Sequence, residues 1–223
     1  TCSLKGYDSM KNYKDTALLL ADKAGRIMRQ NFKLGMRKDW KQDNSPVTET
    51  DIAINDLVIT EIRQNFPSHG ILAEESSHFN GEKYVWVCDP VDGTNPFSRG
   101  YPTFTFSLAL VEQGIPILGL IYDSMLDRTL IAESGKGTFL NGVQAKVCKS
   151  ESLSRAAVAL ECNNPKLNKV RQYLFDRGCL ITALACVTYS SLLVAVGEFS
   201  AIIWEGKTPW DGAAVQVIIE EAG

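Results

Sequence analysis

Residues 86–97, Trp-Val-Cys-Asp-Pro-Val-Asp-Gly-Thr-Asn-Pro-Phe, carry the densest chemistry in the chain. An apolar run from Tyr84 to Cys88 delivers Asp89. Pro90 bends the chain and removes a backbone donor, and Asp92, Gly93 and Thr94 follow at once. Carboxylates that close across a turn can converge on one point, where they repel unless a cation lies between them. Hard oxygen ligands without His or Cys beside them select Mg²⁺ or Mn²⁺ over zinc. Gly93 lets the backbone come close to a ligand, and N–H groups opening a helix there would hold a phosphate. Taken alone, the stretch also reads as a decorated Pro-Asp-Gly turn.

Other acids have the same double reading. Glu74 and Glu75 follow the apolar Ile71-Leu72-Ala73, and alone they are surface charge. Asp211, in Pro209-Trp210-Asp211-Gly212-Ala213-Ala214, and Asp51, in Val47-Thr48-Glu49-Thr50-Asp51, read alone as helix caps.

The elements that must position these acids are a mixture of α and β. Ala17, Leu20, Ala21, Ala24, Ile27 and Met28 recur at helical spacing, which predicts a helix over Tyr13 to Phe32. A polar loop, Lys38 to Thr50, follows with Pro46 as its breaker. Thr50 or Asp51 caps a second helix reaching Phe66, with Ile54, Leu57, Val58 and Ile62 inward. Strands are expected at Ile71–Ala73, Tyr84–Cys88, Phe104–Val111, Ile117–Tyr122, Thr129–Ala132 and Thr138–Leu140, the last ending in an Asn141-Gly142 hairpin signal. That is an antiparallel meander. The last third alternates again: a strand at Val158–Leu160, a helix over Leu167–Arg177, a buried helix over Tyr189–Val196, a strand at Ser200–Trp204 and a helix from Trp210, with Gly223 at a C-cap position.

Composition narrows the class. The chain has 223 residues, 45% hydrophobic and 22% charged, an ordinary globular balance. A net charge of -3 gives no basic excess for nucleic acid or an anionic membrane. No apolar run approaches a membrane span, and Thr1 to Asp8 lacks the layout of a signal peptide. The cysteines at 2, 88, 148, 162, 179 and 186 are scattered without a CxxC, so they are expected as reduced, buried thiols in a cytoplasmic setting. His69 and His78 sit in polar turns and are expected to be solvated.

Together the acidic motifs resemble the inositol monophosphatase family of Mg²⁺-dependent, lithium-sensitive phosphatases. The matching stretches are 47–51, 73–76, 86–94 with 97–110, and 210–214 through 220–223, in order along the chain. The resemblance implies an α+β fold with layers α-β-α-β-α. It divides the chain into residues 1–150, with the helix pair, the antiparallel sheet and most metal ligands, and residues 151–223, with the last ligand. It implies that Glu74, Asp89 and the carbonyl of Val91 hold one Mg²⁺, and that Asp89, Asp92 and Asp211 hold a second. Thr94 and Asp51 match the pair that orients and deprotonates the attacking water, and Glu74 also reaches a weaker third ion. Glu75 lies outside the immediate ligands. Gly93 and Thr94 offer N–H groups to the phosphate, and Asp92 and Glu205 complete the candidate substrate contacts. The implied partner is a small phosphorylated polyol or sugar, inositol monophosphate by default, in a homodimer. Mn²⁺ is the substitute cation.

The match departs in places. Asn95-Pro96-Phe97 replaces the usual continuation, which the first turn of a helix tolerates. Ala185-Cys186 stands where inositol-cleaving members carry a Gly-Ser or Gly-Thr pair, and Trp204 stands where they carry a substrate-binding Glu, with Glu205 one residue further. Family members continue past the Glu-Ala-Gly at 221–223 through another strand and helix, so a shortened or truncated last region is expected. These departures keep fructose 1,6-bisphosphate, histidinol phosphate and 3′-phosphoadenosine phosphates open as substrates, and a role as a macromolecular binding partner open beside catalysis. Covalent aspartyl chemistry of the haloacid-dehalogenase kind is excluded, because Pro90 fills the nucleophile's slot two residues before Asp92. No P-loop is present.

Overall fold

The computed structural model describes residues 12–42, 44–150, 152–162, 164–206 and 208–223. The segment Thr1–Asp8 and Cys2 lie outside the described residues. In chain order the elements are α1 (Tyr13–Asn31), β1 (Asp39–Trp40), β2 (Pro46–Val47), α2 (Glu49–Asn65), β3 (Gly70–Ala73), β4 (Tyr84–Asp92), α3 (Thr94–Ser98), β5 (Thr105–Glu112), β6 (Ile115–Asp123), β7 (Arg128–Glu133), β8 (Gly137–Leu140) and β9 (Val143–Gln144). They continue with β10 (Ala157–Glu161), α4 (Asn168–Asp176), β11 (Leu180–Thr182), α5 (Val187–Ala195), β12 (Ala201–Trp204) and α6 (Pro209–Ala222).

The layering follows from strand alternation. On β4, Trp86 and Cys88 point to one face of the large sheet, and Val85 and Val87 to the other. The first face packs on Leu20, Ala24 and Met28 of α1 and Ile54, Val58 and Ile62 of α2. The second packs on Leu192 and Ala195 of α5 and Ala214, Val217 and Ile218 of α6. Gly119 on β6 lets α6 sit close, since a Cβ there would lie 2.7 Å from the Ala214 carbonyl oxygen. Beyond α5 and α6 lies a small parallel sheet in the order β11-β10-β12, whose outer face carries Val158, Ala201 and Ile203 under Leu174 of α4. The stack is therefore α-β-α-β-α, as the resemblance implies.

Several expectations are corrected. The large sheet, ordered β3 through β9, is antiparallel from β4 onward, but β3 joins β4 in parallel. The loop expected over 38–50 contains the β1–β2 pair, with Pro46 at a strand rather than acting as a breaker. The cap of α2 is Thr48, not Thr50 or Asp51; Asp51 is the acid of a capping box and reaches back to the Thr48 N–H. Pro90 does not end β4, which runs to Asp92, and the pairing slips so that 89–92 spans 107–105 of β5. His69 is only partly exposed: it stacks on Phe66 and Tyr84, accepts the Trp86 indole N–H at 3.1 Å, and burial lowers its pKa. The five described cysteines are free thiols, but only Cys88, Cys179 and Cys186 are buried. No helix among the described residues is long and apolar enough to cross a membrane.

Candidate active site

Two elements from opposite ends of the chain meet at the acids. Asp89 and Asp92 ride the irregular end of β4, and Asp211 sits in the first turn of α6. One carboxylate oxygen from each lies within 4.8 Å of the others. Asp89 and Asp92 are only 3% and 8% exposed. Among the described residues, no Lys or Arg forms an ion pair with any of the three. Burial, then the charges of Glu74, Asp92 and Asp211, pushes the Asp89 carboxyl well above the carboxylate range. Burial raises Asp92 to about 6 against the pull of its hydrogen bonds, and raises Asp211. Buried carboxylates with no neutralising base are the donor set of a hard divalent cation, which would relieve this repulsion. The residues present fit Mg²⁺.

Each acid has one oxygen already occupied. Asp89 Oδ1 accepts the Val91 N–H at 3.0 Å. Asp92 Oδ2 accepts from both the backbone and the hydroxyl of Thr188. Asp211 Oδ2 accepts the Thr208 hydroxyl, three residues earlier. Thr208 occupies the N-cap position of α6 without a side-chain capping bond, so Asp211 is not the cap expected from its position.

A second pair lies alongside. Asp51 is fully buried, and its Oδ2 accepts the N–H and the hydroxyl of Thr48. Its Oδ1 faces the Thr94 hydroxyl at 2.9 Å. Thr94 Oγ1 is also 2.9 Å from the Val91 carbonyl, so its single proton has two acceptors. Burial raises the Asp51 pKa. Gly93 sits between the two pairs with φ 87°, a left-handed conformation that caps α3. A Cβ there would lie 2.8 Å from the Thr103 carbonyl oxygen. Only glycine meets both demands.

Glu74 sits at the end of β3 beside the cluster, close enough for its charge to raise Asp89 and Asp211. Its Oε1 is 2.7 Å from Lys41 Nζ, which also holds Glu75 Oε1 at 2.6 Å. Glu205 is not brought to the cluster: it is exposed and its carboxylate accepts from Asn164.

The model of the inositol monophosphatase family matches residues 9–223. The chain belongs to the inositol monophosphatase family. Inositol monophosphatase 1 of Solanum lycopersicum is 31% identical, over 96% of this chain and 84% of the relative. A histidinol-phosphatase of Chlorobaculum parvum is 34% identical, over 93% of this chain and 82% of the relative. A solved IMPase/NADP phosphatase, complexed with Mg²⁺ and phosphate, superposes with a TM-score of 0.82 at 26% identity, over 94% of this chain and 80% of that one. Members are phosphoric monoester hydrolases.

Sequence reasoning missed several residues around the site, Thr188 on Asp92 among them. Thr48 and Thr208 were legible, because each opens a Thr-x-x-Asp pattern at a helix start. Lys41 and Glu161 carried no local signal. Glu161 ends β10 and accepts the N–H of Leu184 and Ala185 at 2.8 Å each, along with the Ser190 hydroxyl. It thereby shapes the turn at Ala185, whose φ is 56°.

Proposed function

We propose that this chain is a Mg²⁺-dependent phosphomonoesterase that hydrolyses a small polyol or sugar phosphate, with inositol monophosphate as the default substrate. The observation that carries the reading is the convergence of Asp89, Asp92 and Asp211 within 4.8 Å, with no Lys or Arg among the described residues paired to them. In this reading Asp89, Asp92, Asp211, the Val91 carbonyl and Glu74 are the ligands. Lys41 holds Glu74 Oε1, which leaves Oε2 for the cation. A divalent cation bound there would supply charge neutralisation at the phosphoryl oxygens and make a nearby water easier to deprotonate.

The chain's own groups supply the rest. The attacking water donates to Thr94 Oγ1, and Thr94 passes its proton to Asp51 Oδ1, which lies 2.9 Å away. Asp51 suits that role because burial makes its carboxylate more basic than a surface aspartate. Thr48 holds the other Asp51 oxygen, so Oδ1 stays aimed at Thr94. The N–H groups of Gly93 and Thr94, at the start of α3, are offered to the phosphate. The leaving alkoxide takes its proton from water.

Ala185-Cys186 and Trp204 stand at sequence positions where inositol-cleaving members carry polar substrate contacts, which keeps the other substrates in the reading. Lithium sensitivity and a homodimer belong to the same reading through family resemblance, Mn²⁺ as a substitute through the oxygen donor set, and a cytoplasmic setting through the scattered thiols. The test is inorganic phosphate release from inositol monophosphate, fructose 1,6-bisphosphate, histidinol phosphate and a 3′-phosphoadenosine phosphate. Each is run with Mg²⁺, with EDTA, and with Mg²⁺ plus lithium. EDTA-sensitive release is expected, and the best substrate names the leaving group. A folded chain that releases none with Mg²⁺ would overturn the enzymatic reading and favour a binding role.

A further inference from the structure

Asp92 has an unusual neighbour. Thr188, the second residue of α5, donates its backbone N–H to Asp92 Oδ2 at 2.6 Å and its hydroxyl to the same oxygen at 2.6 Å. The N–H is in the first turn of a helix and has no intrahelical acceptor, so it is free for this bond. Both bonds end on an ionised oxygen and are charge-assisted. Asp92 Oδ1 accepts no hydrogen bond among the described residues.

The hydroxyl's direction is fixed from behind. Thr188 Oγ1 has one proton, and that proton goes to Asp92. Its short contact with Thr105 Oγ1 must then be donated by Thr105. Thr105 and Thr188 are both fully buried, so neither hydroxyl exchanges partners with bulk water. Cys186, which caps α5, adds a bond from Sγ to the Asp92 carbonyl oxygen at 3.3 Å. A chain of donors thus runs from β5 through α5 to one oxygen of Asp92.

We propose that Thr188, held by Thr105, is a positioning residue that ties Asp92 Oδ2 and thereby presents Oδ1 alone to the divalent cation. The proposal rests on the cation-site reading above. A carboxylate free to rotate would offer either oxygen, or both, and the angle between its ligand atom and those of Asp89 and Asp211 would vary. With Oδ2 tied, that geometry is set before the cation arrives. Outer partners of this kind typically carry about 10–100-fold in metal affinity.

The probe is Mn²⁺ itself, with free ion followed by electron paramagnetic resonance during titration of the folded chain. Thr188→Val keeps the shape and the N–H but loses the hydroxyl. Thr188→Ser keeps the hydroxyl. The Mn²⁺ Kd is expected to rise about tenfold in Thr188→Val and to stay near wild type in Thr188→Ser. In turnover, the loss is expected in the half-saturating Mn²⁺ concentration more than in kcat. Wild-type affinity in a folded Thr188→Val chain overturns the proposal, as does equal loss in Thr188→Ser. Should Thr188→Val fail to fold, Thr105→Val decides: a smaller rise in Kd supports the donor chain, and an unchanged Kd overturns it. A wild-type chain that binds no Mn²⁺ overturns the cation site, and the proposal with it. A wild-type chain that binds Mn²⁺ while the variants match it overturns the proposal alone.

Discussion

Replacing Asp92 with Asn separates folding from function. Without a cation, Asp92 is ionised in a buried site beside Asp89 and Asp211, and its pKa is raised from 3.8 to about 6. A carboxyl whose folded pKa lies above its unfolded one favours the fold when protonated. Its contribution is present below pH 3.8 and is lost as pH rises through about 6. Near neutrality the ionised group costs about 3 kcal/mol. The amide is uncharged and of the same shape, and its oxygen can still accept both Thr188 donors. In EDTA at about pH 7.5 the variant is therefore expected to melt higher than wild type, by about 6–12 °C for a chain of this size. At about pH 5 the gain falls to roughly half, because the wild-type carboxyl is mostly protonated there. Phosphate release with Mg²⁺ is expected to fall about a hundredfold or more. Thermal unfolding by circular dichroism at the two pH values, with a phosphate assay, measures all of this. A variant less stable than wild type in EDTA near pH 7.5, or one with the same gain at both pH values, refutes the argument. So does near-normal turnover.

Two other changes probe the neighbouring groups. Thr94→Ala removes the relay between the water and Asp51, so kcat is expected to fall about a hundredfold while Mn²⁺ affinity stays near wild type; parallel loss of both would contradict the water-orienting role. Gly93→Ala forces a Cβ against the Thr103 carbonyl at φ 87°, and is expected to cost about 1–3 kcal/mol in denaturant unfolding along with most of the activity; wild-type stability would show that the turn is looser than its geometry.

Much of the architecture was legible because burial is periodic. The α1 helix could be read from Ala17, Leu20, Ala24 and Met28, and all four are buried. Pairing partners were less legible. The Ile71–Ala73 stretch looks like any short apolar strand, and nothing local says that it lies parallel to β4. Pro90 looked like an end, yet the strand passes through it, because the register slip between Asp89 and Asp92 absorbs a residue without a donor. His69 looked solvated from its polar neighbours, and only the folded chain brings Phe66, Tyr84 and Trp86 around it.

The candidate site divides the same way. Residue type and local spacing determined the acids themselves, their helix-start and strand-end positions, and the glycine that the turn at 93 demands. Each of those features depends on a few consecutive residues and on rules that act locally. Tertiary structure alone decided which oxygen of Asp92 is free, what Asp51 Oδ1 faces and what Glu74 Oε1 holds. Thr188 reaches Asp92 from 96 residues away, Thr94 reaches Asp51 from 43, and Lys41 reaches Glu74 from 33. Hydrogen-bond partners that far apart are set by how the layers stack, since hydrophobic packing brings the elements together without reference to the polar groups they carry.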